Sequence, residues 1–260
     1  MKNFATLLLF VLVLAHASAP ATLVFAESTG MTLDEQLSSS GYPEEVIATM
    51  DNGLKELLVS EGAEFVSAYT YEGYLHEPQV LGDYTIQAII PNYMASFIVS
   101  QVSGAPGFRY YRVTYSWGWY FAPSFCFTDH VALAWGVEWA LTGSVQSSYT
   151  AHNTDASRTF LNQTYTTDSI YGYTAHHDIL SAFYQNGEYY QSEWHSGWSS
   201  AIVQSPTSGK TGWDQLPLLG KYYHQIYPFG LNFSINPVSI TVSGFYHESS
   251  GGHYTYVFQW

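Results

Sequence analysis

Cleavage of a glycosidic bond needs two carboxyl groups facing one another about 5–9 Å apart, one to donate a proton and one to attack or activate water. Glu138 and Glu193 are the pair in this chain with suitable surroundings. Glu138 falls opposite Trp135, Val137 and Trp139 in an alternating run, among Ala and Gly that could floor a cleft. Glu193 sits in the aromatic stretch Tyr189-Tyr190-Gln191-Ser192-Glu193-Trp194-His195. No glycosidase motif surrounds either residue, and a carboxylate on a wet strand face is an ordinary surface group. Nucleophilic catalysis has less to work with. There is no G-x-S-x-G elbow, and Cys126, the single cysteine, lies between Phe125 and Phe127 with no neighbour that would lower its pKa. It reads as a small buried hydrophobe.

Metal chemistry would rest on His176-His177-Asp178 or on His247-Glu248 with His253. Adjacent strand residues point to opposite faces, so His176 and His177 cannot share a metal outside a turn, and no helical i, i+4 pair is present. No metal set and no cofactor motif is expected. Binding without bond chemistry has more candidates. Aromatic rings can stack on the faces of sugars while acid and amide neighbours bind hydroxyls. Tyr110, Tyr120, Tyr189, Tyr190 and Trp194, with Trp198 and Trp213, lie near predicted strand ends or loops.

Those side chains must be positioned by strands. Tyr110 to Phe121 reads YYRVTYSWGWYF, seven aromatics in twelve positions, and its residues sort cleanly by parity. Tyr111, Val113, Tyr115, Trp117, Trp119 and Phe121 share one face; Tyr110, Arg112, Thr114, Ser116, Gly118 and Tyr120 share the other. The first face is read as core and the second as wet, with Tyr110 and Tyr120 available for contact. The same period runs through Val131 to Leu141, Phe229 to Ile235, Val238 to Val242 and Tyr254 to Trp260, separated by Gly104-Ala105-Pro106-Gly107, Asn186-Gly187, Ser208-Gly209 and Gly251-Gly252. Asn186-Gly187 is a specific two-residue hairpin signal. The pattern predicts a mainly β fold: an antiparallel β-sandwich of about ten strands over residues 65–260.

Residues 27–64 differ. They hold nine acids and one lysine, and the helical period appears there alone. Thr32-Leu33-Asp34-Glu35 is a capping box. A second start follows at Pro43-Glu44-Glu45 with Val46, Ile47 and Met50 as its stripe; Asn52-Gly53 breaks it before Leu54, Leu57 and Leu58, and Gly62 ends the run. An acidic headpiece of two or three short helices is expected.

Lys2, the apolar run Phe4 to Ala15 and the small-residue stretch ending Val24-Phe25-Ala26 have the layout of a secretory leader over residues 1–26, cleaved after Ala26. Twelve apolar residues are too few to span a bilayer of about 30 Å, and no later transmembrane helix is expected. The formal net charge of −14 disfavours nucleic acid and anionic headgroups as partners. A secreted, extracellular protein without an internal disulfide follows.

The segments GYPEEVI…M…LKELL and W-x-W…P…TDHVALAW resemble a loose group of uncharacterised exported proteins of Gram-positive bacteria. The resemblance covers about a fifth of the chain; it implies export and a helix-then-β layout, and it brings no catalytic residue with it. The residues favour non-enzymatic binding to an extracellular glycan or another cell-surface component. Two alternatives stand beside it: a secreted glycosidase using paired carboxylates, and a membrane-active β-pore former. The second would use the nearly uncharged Gly143–Thr174 segment, rich in Ser, Thr and Tyr, as an insertable hairpin.

Overall fold

The computed structural model describes residues 30–73, 93–120, 126–161, 164–169, 171–205, 212–235 and 240–259; of residues 71–73, 143–144, 164–169, 212–214, 226–235 and 240–259 only the backbone is described. The expected leader and Phe121 lie outside this set. The described chain carries three short helices followed by thirteen strands.

The helices are α1 (Leu33–Ser39), α2 (Glu44–Ile47) and α3 (Asn52–Ser60). The capping box forms: Glu35 N–H donates to Thr32 Oγ1 (3.3 Å), and Thr32 N–H donates to Glu35 Oε2 (2.7 Å). Asn52-Gly53 does not break a helix, as the sequence suggested, but starts one. Asp51 caps α3 by accepting from Leu54 N–H at 2.8 Å, and an N-cap carboxylate outweighs the poor helix propensity of Gly53. Leu37, Tyr42, Ile47, Met50, Leu54 and Leu58 bury together with Ile98, Val102 and Trp198 from the sheet beneath.

That sheet has six strands in the order β1 (Glu64–Gly73), β2 (Tyr93–Val102), β3 (Tyr110–Trp119), β11 (Trp194–Gln204), β5 (Ala140–His152), β6 (Ser157–Leu161). The second sheet runs β13 (Ile240–Gln259), β12 (Gly212–Ile235), β4 (Thr128–Trp135), β8 (Gly172–Asp178), β7 (Thr164–Ser169). β9 (Ala182–Gln185) and β10 (Glu188–Gln191) form a separate hairpin. The ladders pair antiparallel. Between the two large sheets lie Phe97, Tyr115, Trp117, Trp119 and Tyr149 from one side and Val131, Leu133, Trp135, Tyr173 and Tyr222 from the other. The fold is thus a mainly β, antiparallel sandwich with helices on the N-terminal side, and the Trp117/Trp119 face is core.

Two further expectations change. The alternation from Val131 to Leu141 is not one strand: β4 ends at Trp135 and Gly136–Trp139 turns, closed by Trp139 N–H to Gly136 O at 2.9 Å. A side chain at 136 would put its Cβ 2.7 Å from Pro217 Cγ, so only glycine lets β12 approach this corner. Trp135 and Trp139 are both buried, which is why their spacing imitates a strand. The face expected to be wet is also largely covered. Arg112 and Thr114 are buried beneath the headpiece, and the Arg112 guanidinium makes a two-pronged ion pair with Glu61 while donating to Ser200 Oγ at 2.8 Å.

Candidate functional site

The headpiece does not cover the whole outer face of the six-stranded sheet. Beyond it lies an open groove of about 400 Å³, built across β2, β3, β11 and the end of β5. Register fixes its floor. Met94, Gly118 and Ser196 are cross-strand partners in one row, and Ser96 and Ser116 pair in the next, with Ser116 opposite Trp198. Ser96 is held by Thr70 through a 2.8 Å hydroxyl–hydroxyl bond. Apart from Met94, the floor is therefore small and hydroxylated. At Gly118 an added Cβ would meet nothing closer than 3.8 Å, so the backbone itself is open to the groove.

The walls are larger. Tyr120 stands at the end of β3 with 56% of its surface exposed. On the far side Trp194 and His152, partners across β11 and β5, stack with centroids 5.2 Å apart and planes within 5°. His152 Nε2 and Ser196 Oγ are 2.8 Å apart, which fixes the imidazole and through it the indole. Burial holds the His152 pKa below the usual histidine value, favouring the neutral ring. The α2–α3 connection, Ala48 to Asp51, closes the third side. Asp51 takes Trp198 Nε1–H at 3.0 Å, which locks that connection onto the sheet.

The sequence-derived residues fall in three places. Tyr120 and Trp194 come together as groove walls. Tyr110 lies at the other end of β3, on the order of 30 Å away for a ten-residue strand. There it joins Glu64, Gln101 and the Ser103–Arg109 loop around a second cleft of about 430 Å³. Tyr189 and Tyr190 sit on the β9–β10 hairpin; Tyr189 is 82% exposed, whereas the Tyr190 ring stacks inward on Phe183 at 5.8 Å. Trp198 is buried under the headpiece, and the Trp213 side chain lies outside the described set.

The carboxylate pair does not assemble. Glu193 precedes Trp194, which pairs with His152 at one end of β11; Glu138 lies in the turn before Ala140, which pairs with Gln204 at the other end. The separation is on the order of 30 Å, several times what glycoside hydrolysis allows. Glu193 instead accepts from Thr154 N–H (2.9 Å) and Thr154 Oγ1–H (2.7 Å), tying down the β5–β6 turn beside the Trp194 wall.

A buried polar cluster inside the sandwich was not foreseen. Asp129 accepts from Tyr222 O–H, from His224 Nδ1–H at 3.0 Å and from Gln225 N–H at 3.1 Å. Tyr149 O–H lies 2.9 Å from His195 Nδ1 and accepts from Leu180 N–H. His177 faces Trp117 and Tyr149 with both ring nitrogens buried and unpaired, while His176 points the other way against His130. Asp129, His177, His195, Tyr149 and Tyr222 are at 0% exposure, so no substrate reaches them as they stand. Parity is the signal that could have found them, since Asp129 shares its strand face with Val131 and Leu133. Cys126 is half-buried, and burial raises its thiol pKa. Among the described residues, no three His, Cys, Asp or Glu side chains are placed to hold one metal ion. The side chains of His247, Glu248 and His253 lie outside the described set.

No protein-family model and no curated protein matches the chain. Among solved structures, it is similar to Clostridium perfringens delta-toxin, with a TM-score of 0.34 and 8% identity over 75% of this chain and 89% of that one. At that level of superposition the likeness assigns neither a family nor an activity.

Proposed function

We propose that the protein is an exported, non-enzymatic binding protein that holds glycan in the groove beside the headpiece. The observation that carries the reading is the pairing of exposed Tyr120 with half-buried Trp194 across a floor of Ser116, Gly118 and Ser196. Rings on the walls can lie against the apolar faces of a sugar, and hydroxyls below can exchange hydrogen bonds with its own. An open site of this kind excludes little water, which suits binding better than bond cleavage. The leader-like first residues support export.

The pore reading gains nothing specific. Its expected hairpin is divided between the sheets: β5 and β6 belong to one, β7 and β8 to the other, and Tyr149 and Tyr173 from it are core. The test is retention of the full chain on insoluble β-glucan, xylan and chitin, alongside dye release from phosphatidylcholine vesicles. Trp194→Ala should lower retention about tenfold or more, in line with the loss of a stacking aromatic anchor. Gly118→Phe, whose Cβ has room above the floor and whose ring would enter the groove, should abolish it. Retention untouched by both variants, or dye release without retention, would overturn the proposal.

A further inference from the structure

We infer, resting on the groove reading above, that the β9–β10 hairpin is a second aromatic subsite and that the ligand is a linear polysaccharide without acidic groups, engaged at both places at once. Tyr184 and Tyr189 are direct partners in the hairpin register, with ring centroids 4.9 Å apart at 57°. They are 47% and 82% exposed, an aromatic pair standing in water where one face of the hairpin could have been polar. Neither ring serves the core. Phe183 and Tyr190, on the other face, do that work.

The hairpin is a rigid mount. Asn186 (φ 52°) and Gly187 (φ 93°) make a tight two-residue turn whose left-handed backbone suits this pair. Ser192 N–H donates to Ser181 O at 2.8 Å, Arg158 Nη1–H to Tyr184 O at 2.8 Å, and Asn153 Nδ2–H to Gln191 O at 2.8 Å. The last bond joins the hairpin to the turn that follows His152. Trp194 follows Tyr189 by five positions, so their Cα atoms are at most about 18 Å apart. A few linked sugar rings can bridge a span up to that limit.

Charge selects the occupant. Glu188 accepts from Tyr190 O–H on the hairpin, Glu193 holds Thr154 next to Asp155 in the β5–β6 turn that Asn153 ties to the hairpin, and the whole chain carries −14. A uronate or sulfated polymer would be repelled, whereas an uncharged or amine-bearing chain would not. The Tyr184 and Tyr189 phenol rings, with Gln191 on the same face of the hairpin, match a ligand with apolar ring faces and hydroxyl rims.

The experiment is calorimetric titration of the full chain and of a Tyr184→Ala, Tyr189→Ala double variant. The probes are cello-oligosaccharides, N-acetylated chito-oligosaccharides and their deacetylated forms, each from disaccharide to long oligomer. Two linked subsites predict that affinity rises with length in the parent chain. The double variant should lose about tenfold or more on long oligomers, by loss of avidity, with no change on the disaccharide. An unchanged length profile overturns the inference, and so does equal weakening at every length, which would mean that the hairpin only braces the groove. If the parent chain binds no oligomer, the groove reading itself falls, and this inference with it. Binding abolished by Gly118→Phe but indifferent to the tyrosines separates the two, sparing the first and rejecting the second.

Discussion

His177 shows what a single residue can demand of this fold. Its two ring nitrogens have no partner and its ring lies against Trp117 and Tyr149. Burial pushes its pKa, with those of His195 and His130, down to about 3. The unfolded chain binds protons on these rings near pH 6.5 while the folded chain refuses them, so stability is complete above about 6.5 and falls as pH drops toward 3. Each ring removes about 1.4 kcal/mol per pH unit in that window, and three together can exhaust a typical 5–15 kcal/mol of stability over a few units. Acid unfolding is expected between about pH 4 and 5, where the loss matches that range. His177→Leu should gain about 1–2 kcal/mol at pH 7 by removing unpaired polar atoms, and more at pH 5. Urea titrations at the two pH values check this; a variant that loses stability at pH 5 would refute it.

At the scale of elements, the three helices matter through the sheet face they cover. The Arg112 side chain is wholly buried while Glu61 keeps about a fifth of its surface, at 0% and 21%. The two ends of the pair are therefore unequal. Glu61→Ala strands a desolvated guanidinium and should cost about 3–5 kcal/mol. Arg112→Met leaves a carboxylate that can reach water and places an apolar chain in the gap, so a loss nearer 1 kcal/mol is expected. Denaturant midpoints of the two variants test the asymmetry, and equal losses would contradict it. Because the α2–α3 connection walls the groove, Glu61→Ala should also weaken glycan retention, and Tyr42, bonded at 2.6 Å to Ser100, the cross-strand partner of Arg112, anchors the headpiece beside the same ion pair.

For the molecule as a whole, the layout was legible because period two and period 3.6 are written in side chains. The Tyr111–Trp119 row, the Thr32 capping box and the Asn186-Gly187 turn are local signals with local causes. What stayed hidden depends on partners far along the chain. Arg112 looks solvent-facing until Glu61 is seen to meet it, and Trp135 and Trp139 mimic a strand because both ends of a turn point inward. Tyr120 and Trp194 could be named as contact residues, but nothing local says that β3 and β11 are neighbours. Their groove, and the exclusion of a Glu138–Glu193 pair, emerge only from the strand order.

The central claim is that glycan lies between Tyr120 and Trp194. Hydroxyl-radical footprinting with and without a soluble oligomer of the retained polysaccharide addresses it directly. Protection is expected at Tyr120, Trp194 and Met94, and none at Phe108 or Tyr110 around the second cleft. Protection at Phe108 and Tyr110 with an unprotected Trp194 would contradict it.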